Sequence, residues 1–238
     1  MSAFLYGVGL QWRLDIRSKS LLITCYVVPL LFFVVLGGVF TSVIPGAERT
    51  LVQAMTIMGV TMGALMGVPP SLTEIYAGDM KKVYRANGVP LYLGLASIFL
   101  SAFLHLLIMS GVIALAAPLL FHAAPPENLP LYFAALALFI AASLGLGCVL
   151  GLVMKNQAKL TMISMIFFLP SVMLSGIMFS ASLLPGALET AGLLFPAAWG
   201  FRLMVDGGFA PGNLWPLAAM LALAAGLCGL ALHRLRTE

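Results

Sequence analysis

LYLGLASIFLSAFLHLLIMSGVIALAAPLLF, residues 91–121, runs for 31 positions without an Asp, Glu, Lys or Arg. About 20 apolar residues in helical form cross the hydrocarbon of a bilayer. This stretch therefore reads as a transmembrane helix with length to spare, taken up by tilt or by a break near Pro118. Five further apolar runs stand out on a window of about 19 residues, at positions 21–40, 51–68, 131–154, 160–179 and 214–232. The first is longer than the 7 to 15 residues of a signal-peptide core and is expected to be a retained helix. Across 238 residues, 62% are hydrophobic and only 8% charged, whereas a soluble surface needs roughly a quarter to a third of its residues charged. The expected fold is all-α: one polytopic transmembrane domain over residues 1–238, with six spans and no room for a large catalytic or nucleotide-binding domain.

Position matters more than the net charge of +4. Arg13, Arg17 and Lys19 precede the first span; Lys81, Lys82 and Arg85 lie between the second and third; Lys155 and Lys159 lie between the fourth and fifth; Arg234 and Arg236 follow the sixth. With six spans these ten fall on one side, and only Arg49 and Arg202 fall on the other. Basic residues concentrate in cytoplasmic loops, so both termini are expected in the cytoplasm of a multi-pass cell-membrane protein. A seventh crossing through 183–205 would put the basic C-terminus outside and is rejected on that asymmetry. Small basic clusters between apolar runs are orientation signals and not the one-sided footprint of a nucleic-acid binder; the expected surroundings are lipid. Cys25, Cys148 and Cys228 each sit inside an apolar run, without a CxxC pair or a ligand cluster, and read as buried thiols with no metal.

Three elements outside the spans carry more. Over residues 1–19, Leu5, Val8, Trp12 and Ile16 recur at spacings of three and four, while Gln11, Arg13, Asp15 and Arg17 lie on other faces. That is the pattern of an amphipathic helix in the membrane interface. Between spans two and three, Pro69 and Pro70 are expected to end the span. Ser71 and Glu74 then form a capping box, and Asn87-Gly88 before Pro90 closes a separate helix over 71–88. Tyr76, Met80, Val83 and Tyr84 make an apolar stripe on it. Before the last span, 180–213 is mostly apolar and broken by Pro185, Pro196 and Pro211. Two half-helices dipping back into the outer leaflet, about 186–194 and 197–206, fit that spacing, with Arg202 and Asp206 four apart and able to pair.

The stretch EIYAGDMKKVYRANGVP, residues 74–90, together with Ser175-Gly176, Pro185, Pro196 and Arg202 in 174–202, resembles the membrane subunit of an ATP-binding cassette transporter of the type-2 exporter permease family. The resemblance implies an amphipathic first helix, six spans, a coupling helix after the second span and re-entrant helices before the sixth. It implies that Glu74, Tyr76, Asp79, Met80, Lys82, Val83, Tyr84 and Arg85 meet a separate ATPase subunit, which holds ATP and Mg. It also implies a second copy of the permease, or a similar chain, to complete the pathway.

The rest of the sequence is consistent with that division of labour. No GxxxxGK[ST] loop occurs, so ATP hydrolysis by that route is not expected in this chain. Gly59, Gly63 and Gly67, and again Gly147 and Gly151, are spaced for close helix packing, inside the subunit or at a dimer seam. Met55, Met58, Met62 and Met66 on the second span, with Met165, Phe168 and Met173 on the fifth, form flexible, polarizable stripes suited to varied hydrophobic cargo. Ion-driven carriers keep ionisable groups at mid-membrane, and here only His105 lies in a span. A self-contained carrier or channel is the alternative reading. An intramembrane enzyme lacks a base near Ser175, paired carboxylates and HExxH.

Overall fold

The computed structural model describes residues 3–78, 80–178, 183–205 and 211–237, and it is helical, with no strand among the described residues. Helix α1 (Ala3–Arg17) leads into the first span, made of α2 (Lys19–Leu22), a π turn at Ile23–Val27 and α3 (Val28–Val43). The second span is α4 (Leu51–Met62), a π turn at Gly63–Gly67 and α5 (Val68–Ala77), and the short α6 (Met80–Ala86) follows it. Spans three to five are α7 (Leu91–Phe121), α8 (Leu129–Val153) and α9 (Gln157–Met173). Two short helices, α10 (Gly186–Gly192) and α11 (Pro196–Val205), precede the last span, α12 (Pro211–Thr237). Five of the described spans have the length and hydropathy to cross a membrane, and α9 is a shorter apolar helix. It ends well before the expected residue 179: Gly176 turns the chain at φ 89°, and Ser175 Oγ donates back to Val172 O at 2.7 Å. Helix α7 passes Pro118 unbroken.

The expected break at Pro69 and Pro70 does not occur. A proline inside an α-helix lacks a donor and its ring collides with the carbonyl four residues back. Here a π turn comes first: Val68 N–H reaches back five residues to Gly63 O, so the prolines occupy the opening turn of a new α segment. The same arrangement recurs in span one, where Val28 N–H bonds Ile23 O just before Pro29. Span two therefore continues to Ala77, and Ser71 and Glu74 lie within it instead of forming a capping box. The separate helix is α6 alone, not 71–88. Its predicted end does form: Gly88 adopts φ 64°, with Val89 N bonded to Tyr84 O and Gly88 N to Arg85 O, the two bonds of a Schellman cap.

Span two is the centre of the bundle; all of Leu51–Met62 is buried. Glycine makes this burial possible, because a helix without side chains on one face admits a neighbouring backbone. Gly59 faces Met109 of α7 and Pro29 of α3, Gly63 faces Leu106, and Gly67 faces Cys25 Sγ. From α8, Gly147 sits against the Ala64 carbonyl, and Gly151 against Pro69 and Leu72. Both glycine stripes are thus filled by this same chain and not by a second copy. Thr73 Oγ1 adds a hydrogen bond to Gly151 O at 3.1 Å. All three cysteines are buried free thiols.

Helix α11 is inserted into the bundle by its small face: Ala197, Ala198 and Gly200 are buried, with Gly200 against Phe139 of α8 and Ile57 of α4. The two half-helices thus lie close to where proline spacing puts them. Arg202 finds a partner and a ring within them. Arg202 Nη2 donates to Glu189 Oε1 of α10 at 3.3 Å, and its guanidinium lies 5.6 Å over the Trp199 ring; Asp206 lies outside the described residues.

Candidate functional site

Ten of the twelve Lys and Arg residues gather at one end of the bundle, and α6 lies there between the ends of span two and α7. Two tyrosines anchor it. Tyr76, at the end of α5, is 3% exposed and donates its hydroxyl to Leu91 O at 2.5 Å. A Cβ on Gly94 of α7 would stand 2.9 Å from the Tyr84 ring and 3.1 Å from Tyr76 Oη, so both rings rest on α7 only because residue 94 has no side chain. Tyr76 is consequently a buried brace, not part of an outward stripe. Arg85 Nη2 donates to Leu235 O and Arg236 O at 2.5 and 2.9 Å, tying α6 to the last turn of α12, whose carbonyls have no partner within the helix.

What α6 leaves exposed is an apolar pair, Met80 and Val83, at 45% and 48% exposure, with Lys82 and Arg85 exposed beside it and Glu74 exposed at the end of α5. Asp79 lies outside the described residues. A short, separately capped helix braced on three others is a stiff element: displacement of its outer face moves α5, α7 and α12 together.

Helix α1 belongs to this end too. Trp12 of the expected stripe faces α7 and Val8 is half-buried, whereas Ile16 is exposed; Arg13 and Arg17 are exposed as expected, but Asp15, expected on a polar face, is 5% exposed. Its carboxylate accepts from Ser101 Oγ of α7 at 2.5 Å and from Gln11 Nε2 at 2.8 Å. Trp12 stacks on His105, with centroids 4.1 Å apart and planes 6° from parallel, and His105 Nδ1 shares a 2.7 Å hydrogen bond with Tyr26 Oη of span one. Polar groups within α7 need partners: α1 supplies one to Ser101 through Asp15, and span one supplies one to His105 Nδ1 through Tyr26. The signal was legible only as Ser101 and His105 four residues apart on one face of an otherwise apolar helix.

The methionines divide. Met55, Met58 and Met62 are buried and Met66 half-buried, so the second-span stripe is core in this chain. On α9, Met165 and Met173 are exposed together with Met162, Ile166 and Leu169, while Phe168 turns inward to Leu65, Leu150 and Leu160. At the end opposite the basic residues, a cavity of about 400 Å³ opens between the start of α4, the α7–α8 loop and α11. Arg49, Gln53, Glu127 and Asn128 give it polar walls, and the buried Gln53 Oε1 has no partner among the described residues.

Compared with known proteins, residues 4–209 match the family model described as ABC-2 type transporter. No curated protein matches the chain.

Proposed function

Because the chain belongs to the ABC-2 type transporter family, and is thus a multi-pass membrane permease, we propose that it is the permease subunit of an exporter for amphipathic or hydrophobic cargo, driven by a separate ATP-binding cassette ATPase. The basic end faces the cytoplasm, with both termini there. The ATPase seats on Met80 and Val83 of α6, with Glu74, Asp79, Lys82 and Arg85 at the rim, and holds ATP and Mg itself. Two copies of the chain, or this chain and a similar one, form the path.

The observation that carries this reading is α6: an apolar pair exposed at the basic end, on a helix braced by Tyr84 against Gly94 of α7 and by Arg85 to α12. Exposed apolar side chains on a stiff element are what a docking partner covers. The exposed face of α9, with Met162, Met165 and Met173, supports a path at the seam with the second copy, and the polar cavity around Gln53 supports an exit for a polar head group. The π turn in span two, between α6 and the upper bundle, supports a pivot there, since π turns inside helices are frequent at functional sites.

The test is the double substitution Met80→Ser, Val83→Ser. Both side chains are about half exposed, so folding is expected to be kept. Roughly 150 Å² of apolar surface lost from an interface is worth at most about 4 kcal/mol, and because area converts poorly to affinity, a loss of about 10- to 100-fold in ATPase binding is expected. Retention of the complex at wild-type affinity would overturn the assignment of α6. Flux of a solute through the purified chain in liposomes without ATP would favour the self-contained carrier or channel.

A further inference from the structure

A groove of about 730 Å³ runs between the start of α7 and the last turns of α12, at the basic end of the bundle. Its polar wall carries Arg85, His233 and Arg236, its other wall is apolar, including Val89, Leu91 and Leu232, and among the described residues its lining holds no acidic side chain. We propose that this groove is a binding site for an anionic phospholipid of the adjacent leaflet, with the phosphodiester at Arg85 and Arg236 and an acyl chain running along α12 past Gly229.

Three features favour a lipid as the occupant. First, the charge of the described lining residues is one-signed and lies at the depth where head groups lie: Tyr92, 62% exposed at the rim, is of the type that settles at the membrane interface. Second, two of the terminal α12 carbonyls that would repel a phosphate are already taken, since Arg85 Nη2 donates to Leu235 O and Arg236 O. A guanidinium has five N–H donors, so Arg85 keeps others for an anion while it caps the helix. Third, no atom lies within 4 Å of where a Cβ on Gly229 would stand, so the wall is recessed where a chain would descend. Basic pockets between spans on the cytoplasmic side bind anionic head groups, each Lys or Arg near the surface adding about a fivefold preference. Nothing in this proposal involves ATP or cargo, so it stands or falls apart from the exporter reading.

The test is native mass spectrometry of the full chain in detergent, titrated with phosphatidylglycerol or with phosphatidylcholine of the same acyl chains. The expected result is preferential retention of phosphatidylglycerol. Arg236→Gln should weaken it about fivefold, and Gly229→Phe, which leaves every charge in place, should remove it. Lys159→Gln, an exposed basic residue at the same end outside the groove, should leave retention unchanged. Equal retention of the two lipids, equal weakening by Lys159→Gln, full retention in Gly229→Phe, or displacement of the lipid by inorganic phosphate would each overturn the proposal.

Discussion

Replacing Gly151 by Ala is expected to loosen the bundle at the contact through which span two passes toward α6. A Cβ there would stand 2.8 Å from both Pro69 O and Leu72 Cβ, and 3.1 Å from Pro69 Cα. Favourable carbon contacts begin at about 3.5 Å, so α8 and α5 must part by several tenths of an ångström. Two of the three obstructing atoms are backbone, so no rotamer change relieves the contact. The shift also pulls Thr73 Oγ1 away from Gly151 O. Overfilling a close-packed contact costs about 1–3 kcal/mol, and the better helix propensity of Ala returns about 1 kcal/mol, for a net loss of about 0–2 kcal/mol. Gly226→Ala in the exposed part of α12 meets nothing within 4 Å, so only the propensity gain of about 1 kcal/mol remains. The two substitutions thus differ by about 1–3 kcal/mol. At about 2–4 °C per kcal/mol for a chain of this size, detergent-solubilised Gly151→Ala should melt roughly 2–12 °C below Gly226→Ala. Equal melting temperatures, or the reverse order, would refute the packing argument.

Asp15→Ala removes the acceptor of two hydrogen bonds from a buried carboxylate, at a cost of about 2–3 kcal/mol; faster tryptic cleavage at Arg13 and Arg17 would report the release of α1, while unchanged cleavage would count against its docking on α7. Gly94→Ala pushes on the rings of Tyr84 and Tyr76 and should displace α6, lowering cargo moved per ATP hydrolysed with the ATPase still bound; unaltered coupling would contradict the bracing role. Arg202→Gln breaks an ion pair whose partners are 33% and 44% exposed, a class worth about 0–1 kcal/mol, so its melting temperature should stay within a few degrees of wild type.

The span count and the half-helices could be read from the sequence because hydropathy and proline spacing act over whole segments. The continuation of span two through Pro69-Pro70 could not. It depends on a five-residue hydrogen-bond shift at Gly63–Gly67, and a sequence shows only that glycine permits such a shift. The inward turn of Asp15 on α1 was hidden for a related reason: its partner Ser101, and the His105 on which Trp12 stacks, lie some 90 residues further along the chain, and only folding brings them together. The glycine stripes were legible as close-packing surfaces, whereas their partners inside the chain were not. Of the expected coupling stripe, Met80 and Val83 remain exposed, because α6 has room for one inward tyrosine at Gly94 and Tyr76 is drawn in by the Leu91 carbonyl.

The measurement that bears most directly on the exporter reading is affinity purification of the chain from its own membranes in mild detergent, with the co-eluting subunits identified and ATP hydrolysis assayed in the same fractions. The expected result is a stoichiometric second polypeptide that carries a phosphate-binding loop and hydrolyses ATP. A chain that elutes with no nucleotide-binding partner, and that passes solute across liposomes without ATP, would contradict it.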